Sequence, residues 1–298
     1  MIHTRGLVKR YGTHAALDGV DLEVPVGSVY GLAGPNGAGK TTLLGILAGI
    51  RKATEGEVTV EAETGEVAVL SDTPRFDPWL TGREVVALAL TLSSAGDAMT
   101  AQERAERADG VLAQSGLTDA AQRRCGGYSR GMLQRLGIAS TLVARPSLIL
   151  LDEPASALDP QGRREVLDLI TTLRGHATVL FSSHILGDVQ EVCDTVGILH
   201  HGRLLFQGPL SDLLVGRAVP RYELRVRDAA DAVAGALSRE AWVRSATAAE
   251  GGVVHVEVTS LADAERHLTG ALAATGASVV SMRPEEVSLE RAFLELTS

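Results

Sequence analysis

The stretch GPNGAGKTT, residues 34–42, lies between an apolar run, VYGLA, and a run with helical apolar spacing, KTTLLGILAGI. Its glycines let the backbone turn so that successive N–H groups point inward, where a helix N-terminus adds its dipole. The spacing G-x-x-x-x-G-K-T, with a strand before and a helix after, is that of a phosphate-binding loop. In such a loop Lys40 reaches the β- and γ-phosphates of a nucleotide, and Thr41 places its hydroxyl on Mg²⁺. A glycine-rich turn with an exposed lysine is the plain alternative. It explains neither the flanking elements nor the spacing.

Working outward, the strand SLILL ends in Asp152 and Glu153. A wholly apolar run that ends in two acids reads as a buried strand whose C-terminal end opens on a site. Asp152 is placed to hold Mg²⁺ directly or through water. Glu153 is then the group to orient and polarise an attacking water, since phosphoryl transfer needs chiefly positioning and electrostatics. A second apolar strand, ATVLFSSH, ends in His184. If it belongs to the same sheet, the histidine emerges on the edge where the phosphates lie, as a γ-phosphate contact. A lone histidine in a structural role is the alternative.

A third feature is CGGYSRGMLQRLGIAS, residues 125–140, where Ser129 and Gly131 open an apolar-periodic segment. A helix begun this way presents free N–H groups to an anion. Ser129 acting only as an N-cap is the bland reading, and both readings use the same N–H groups.

Composition limits the function classes. The 298 residues suffice for a large domain plus a smaller one, and the 45 % hydrophobic content is ordinary for a globular chain. A net charge of −9 with only 3 % aromatic residues argues against nucleic-acid binding, which needs clustered basic surface or stacking platforms. Cys125 and Cys193 belong to no C-x-x-C, so they read as small hydrophobes in a reducing compartment. The N-terminus lacks the apolar core of a secretory signal, and the least charged apolar stretch, residues 85–96, falls far short of the ~20 residues of a membrane span. The chain is therefore expected to be cytosolic.

The periodicities alternate strand and helix up to residue 50, turn helical over about 80–144, and return to strand–helix alternation up to residue 209. From about residue 221 the order strand, helix, strand, strand, helix, strand, helix suggests a small α+β fold. The alternating charges of Arg221, Glu223, Arg225 and Arg227 read as the wet face of an edge strand.

Taken together, these motifs resemble those of the ATP-binding subunits of ATP-binding cassette (ABC) transporters, over roughly residues 1–214. GPNGAGKTT corresponds to Walker A, YSRGMLQR to the signature, LILLDEP to Walker B, SALD (residues 156–159) to the D-loop, and His184 to the switch histidine. The resemblance implies an α/β ABC-type P-loop core in residues 1–216, with a helical subdomain at about 73–145 and a βαββαβ-like accessory domain in residues 217–298. It implies that Gly34, Asn36, Gly37, Gly39, Lys40, Thr41 and Thr42 bind ATP, with Tyr11 stacked on the adenine. It implies catalytic roles for Lys40, Glu153 and His184, and Mg²⁺ held by Thr41, Asp152 and Asp72. Ser129 and Gly131 would bind the γ-phosphate of ATP held by the opposite subunit of a head-to-tail dimer, and Asp159 would touch that seam.

Two departures stand out. Asp72 occupies a Q-loop position where the family carries Gln or Glu, one methylene longer. The signature reads Ser-Arg-Gly-Met in place of Ser-Gly-Gly-Gln, so Arg130 adds positive charge near the anion. The ending PEEVSLERAFLELTS resembles that of antibiotic- and drug-export subunits. The expectation is an ATPase motor working as a homodimer or heterodimer, without nucleic acid. It would be peripheral on the inner face of the cell membrane through a separate permease docked along residues 72–79, beside Phe76 and Trp79. A soluble ABC ATPase acting on ribosomes or DNA, and a weakly catalytic regulatory subunit, are the competing readings.

Overall fold

Strands that are apolar along nearly their whole length need cover on both faces, and the protein sets three of them side by side in one sheet. The structure, a computed structural model, describes residues 1–63, 65–96, 99–156, 158–215, 221–285 and 288–297. In chain order it runs β1 (Ile2–Tyr11), β2 (His14–Val20), β3 (Glu23–Val24), β4 (Val29–Ala33), α1 (Lys40–Leu47), β5 (Glu55–Val60), β6 (Val67–Leu70), α2 (Gly82–Leu92), α3 (Ala101–Gln114), α4 (Arg130–Leu142) and β7 (Leu148–Asp152). It continues with α5 (Pro160–Thr172), β8 (Thr178–Ser183), α6 (Leu186–Val192), β9 (Thr195–His200), β10 (Arg203–Pro209), α7 (Leu210–Val215), β11 (Arg221–Val226), α8 (Ala230–Leu237) and β12 (Val243–Ala249). The chain closes with β13 (Val253–Val258), α9 (Leu261–Thr275), β14 (Val279–Glu285) and α10 (Leu289–Thr297). It divides into two units, Met1–Asp212 with Phe293–Ser298, and Leu213–Ala292.

The first unit holds a six-stranded sheet in the order β10-β9-β4-β8-β7-β6. The pairs β9–β4, β4–β8, β8–β7 and β7–β6 are all parallel, and only β10 runs antiparallel. Every residue of β4, β7 and β8 is buried. Because these three strands are parallel neighbours, the segments that follow them leave the sheet at one edge. Those segments are the phosphate-type loop, Glu153 and His184. Beside this sheet an antiparallel one pairs β1 with β2, β3 and β5, and the hairpin register Tyr11↔His14 puts Tyr11 at its turn.

The helical stretch comprises α2, α3 and α4. Thr81 and Glu84 form a capping box on α2, and Thr100 and Glu103 form one on α3. Each box satisfies backbone N–H groups that the first helical turn cannot. Ser129 caps α4 by accepting from the Met132 N–H at 3.2 Å. Among the described residues, no helix is long and apolar enough to cross a membrane.

In the second unit, α8 and α9 pack on an antiparallel sheet in the order β12-β13-β11-β14. This is a βαββαβ order, and its core gathers Leu224, Val233, Leu237, Val254, Val256, Val258 and Leu268. The charged strand β11 is interior, not the edge strand its sequence suggested. It pairs β13 on one side and β14 on the other. Two of its charges are answered across the strands, Arg221 by Glu257 and Glu223 by Arg283. Residues 293–297 group with the first unit, where the Phe293 ring meets His200 edge-on at 6.0 Å.

Candidate functional site

The loop after β4 is shaped by its glycines. Gly39 caps α1 at φ 109° with no side-chain cap, and a Cβ there would run into the Ala16 carbonyl oxygen. Only glycine fits, and the first N–H groups of α1 stay uncapped by any side chain. Gly34 is buried at the base of the loop, while Asn36 and Gly37 are exposed at its crest. Thr41 is exposed and Thr42 half-buried.

Lys40, 6 % exposed, folds back over the loop and donates to the Gly34 and Pro35 carbonyl oxygens at 2.7 and 3.2 Å. Its ammonium also lies 3.2 Å from Glu153 Oε1. The other carboxylate oxygen of Glu153 meets His184 Nδ1 at 2.7 Å. Thus Lys40, Glu153 and His184, which belong to three separate segments, form one cluster. Glu153 adopts φ 48°, a left-handed backbone that costs a non-glycine residue about 1–3 kcal/mol. That turn takes its carboxylate off the strand path and toward the lysine and the histidine.

Asp152 is buried beside the cluster. Its Oδ1 accepts from the Ser182 hydroxyl at 2.6 Å, and Ser182 Oγ in turn accepts from the Glu153 N–H at 3.0 Å. The Thr41 hydroxyl and the Asp152 carboxylate offer the hard oxygen donors that Mg²⁺ prefers, so the residues fit that ion. Among the described residues, no group of three or more His, Cys, Asp or Glu side chains could hold a metal by itself.

The other expected site residues stand outside this cluster. The Tyr11 hydroxyl accepts from Arg51 Nη1 at 2.8 Å, and the Lys9 ammonium lies 5.1 Å from the ring centroid. The Arg51 hydrogen bond holds the Tyr11 phenol below the usual tyrosine range, with Thr42 adding a smaller effect in the same direction. Tyr11 itself is 45 % exposed. The Asp72 carboxylate accepts from Ser156 Oγ at 3.2 Å and from Thr73 Oγ1 at 3.4 Å. Asp159 caps α5 by accepting from the Gly162 N–H at 3.0 Å. Ala157 of the D-loop lies outside the described residues.

Ser129 is exposed and makes no hydrogen bond to the loop of residues 34–42 among the described residues. A Cβ on Gly131 would meet only Leu158 Cδ2, at an ordinary 3.6 Å. Nothing in its own chain requires glycine there. Both cysteines are free and buried, and burial raises both thiols.

Sequence reasoning missed Ser182 and Arg51. The first was legible in principle, as a polar residue at the end of an otherwise apolar strand. The second lies 40 residues from Tyr11 and carries no local signal.

The family model described as ABC transporter matches residues 17–156. The ABC transporter ATP-binding protein YxlF of Bacillus subtilis (strain 168) is 38 % identical over 232 residues, covering 76 % of this chain and 77 % of that protein. The daunorubicin/doxorubicin resistance ATP-binding protein DrrA of Streptomyces peucetius is 36 % identical, covering 76 % of this chain and 71 % of that protein. Among solved structures, the dimeric post-hydrolysis state of the ATP-binding cassette MJ0796 bound to ADP and Pi superposes with a TM-score of 0.63 at 27 % identity. That match covers 70 % of this chain and 99 % of the other. With relatives this similar over three quarters of its length, the chain belongs to the ABC transporter family, as one of its ATP-binding, ATP-hydrolysing subunits.

Proposed function

We propose that the chain is the motor subunit of an exporter. It binds ATP at a head-to-tail dimer interface and drives a separate membrane-spanning permease. The observation that carries this reading is the convergence of Lys40, Glu153 and His184 at the edge where β4, β7 and β8 end. Lys40 neutralises the β- and γ-phosphates, the uncapped start of α1 receives their oxygens, and Glu153 orients and polarises water for attack on the γ-phosphate. His184 holds Glu153 and contacts the same phosphate. Thr41, Asp152 and, by the family resemblance, Asp72 would hold Mg²⁺, which when bound neutralises charge on the phosphate oxygens.

Tyr11, steadied by Arg51, is the adenine platform. Ser129 and Gly131 of one subunit face the γ-phosphate on the other, and Asp159 lies along that seam. The export direction is supported by the drug-resistance role in the name of DrrA and by the C-terminal sequence, of which residues 286–287 and 298 lie outside the described set. Trp79, 72 % exposed, and the half-buried Phe76 suit a permease contact, which would hold the subunit at the inner face of the membrane. Residues 217–298 then serve as an accessory domain in dimerisation or regulation. The test is phosphate release by the purified full chain with Mg²⁺ and ATP, with Glu153→Gln as reference. Equal rates for the two proteins would overturn the assignment.

A further inference from the structure

We infer that Ser182 is a positioning residue for hydrolysis, the hinge pin that lets Asp152 and Glu153 point in different directions. The inference rests on the catalytic reading of those two acids. Asp152 and Ser182 sit opposite one another in the parallel β7–β8 ladder. Ser182 is fully buried, and its hydroxyl makes two contacts with opposite senses. It donates to Asp152 Oδ1 at 2.6 Å and accepts from the Glu153 N–H at 3.0 Å.

These two bonds serve neighbouring residues with contrary needs. Asp152 continues the strand, so its carboxylate needs a donor that fixes its rotamer and leaves the other oxygen available. Glu153 follows the last residue of β7 and adopts φ 48°, and its N–H goes to the Ser182 hydroxyl. A buried N–H without an acceptor is costly, and a serine hydroxyl, donor and acceptor at once, satisfies both demands with a single atom. Alanine at this position strands the Glu153 N–H and frees the Asp152 carboxylate. Glu153 is then no longer held in the left-handed turn that brings it to Lys40 and His184.

The experiment compares the full chain with Ser182→Ala, Ser182→Thr and Glu153→Gln. One readout needs no ligand: hydrogen exchange of peptides spanning residues 150–155. Loss of the acceptor should raise exchange at the Glu153 amide by roughly tenfold in Ser182→Ala, and Ser182→Thr, which keeps the hydroxyl, should restore protection. The second readout is steady-state turnover. Ser182→Ala should lower kcat by roughly ten- to a hundredfold, the range for a lost hydrogen bond to a charged group, with KM for ATP within about twofold.

Unchanged exchange at Glu153 in Ser182→Ala, or a kcat within twofold of the parent, overturns the inference. So does a Ser182→Thr variant that folds but rescues neither. If Ser182→Ala fails to fold, Ser182→Thr still decides, because it must keep both protection and turnover near the parent's. Should Glu153→Gln hydrolyse ATP as fast as the parent, the catalytic reading itself fails. If Glu153→Gln is slow and Ser182→Ala is not, only the positioning role falls.

Discussion

Two helices in the first unit carry a glycine within a residue or two of their start, yet they are opposite kinds of helix end. The start of α1 has no side-chain cap and takes a left-handed glycine whose Cβ position is blocked by the Ala16 carbonyl oxygen. The start of α4 is capped by Ser129, and its Gly131 has room for a methyl group. The first has N–H groups that no side chain caps, which on the proposed reading receive a phosphate. The second is finished as a helix, and among the described residues nothing crowds its glycine; on the proposed reading its ligand comes from the opposite subunit. On that reading, the difference separates a site built within one subunit from half of a site shared between two.

The sharpest way to break this contrast is at the acid facing α1. Glu153→Gln should lower ATP turnover by about 10²–10⁴-fold, the usual range for a general base, while leaving nucleotide binding intact. Phosphate release and equilibrium binding of a fluorescent nucleotide separate the two effects. In that slow background, Ser129→Arg should weaken ATP-driven dimerisation by roughly ten- to a hundredfold, as expected for a lost hydrogen bond to a charged group. ATP binding to the lone chain should stay within about twofold. Sedimentation with and without ATP reads the first quantity. If binding to the single chain fails too, both helix ends serve one site in the same subunit and the contrast collapses.

Stability gives the next test. Gly39→Ala should cost about 1–3 kcal/mol, because the new Cβ meets a backbone oxygen at a positive φ. Gly131→Ala lies inside a helix with free space, so it should be neutral or stabilise by up to about 1 kcal/mol while weakening the dimer. Thermal unfolding of both variants compares the two ends directly.

The smallest effect concerns pH. Glu84 and Glu103 are held below the usual glutamate range, chiefly by the backbone N–H groups of Thr81 and Thr100. A depressed carboxyl contributes stability above its unfolded value of 4.5 and loses it as pH falls through the lower folded value. Acid below about pH 4.5 should therefore loosen the starts of α2 and α3, whereas α4, capped by a hydroxyl, should keep its protection. Protection factors for the three helices between pH 6 and pH 3 check this.

Much of the core was legible because its signals are local. The loop spacing, the acids closing an apolar strand and the histidine closing another each announce themselves within a few residues. Parallel strands then carry all three to one edge without further instruction. What escaped were relations across the sheet or across the chain. Ser182 joins Asp152 and Glu153 from 30 and 29 residues away, and Arg51 steadies Tyr11 from 40 away. The charges on β11 misled for the same reason. Their partners Glu257 and Arg283 lie on other strands, so a paired interior strand read as a wet edge. The return of Phe293 to His200 spans 93 residues and has no local pattern.

The pairing of Lys40 with Glu153 has a consequence for timing. Each is the other's counter-ion, so a phosphate that takes the lysine exchanges one anion for another instead of adding charge to an unpaired cation. On the proposed reading, the carboxylate that polarises water is held in check by the lysine until the γ-phosphate displaces it. On that reading, substrate arrival and release of the base become one event.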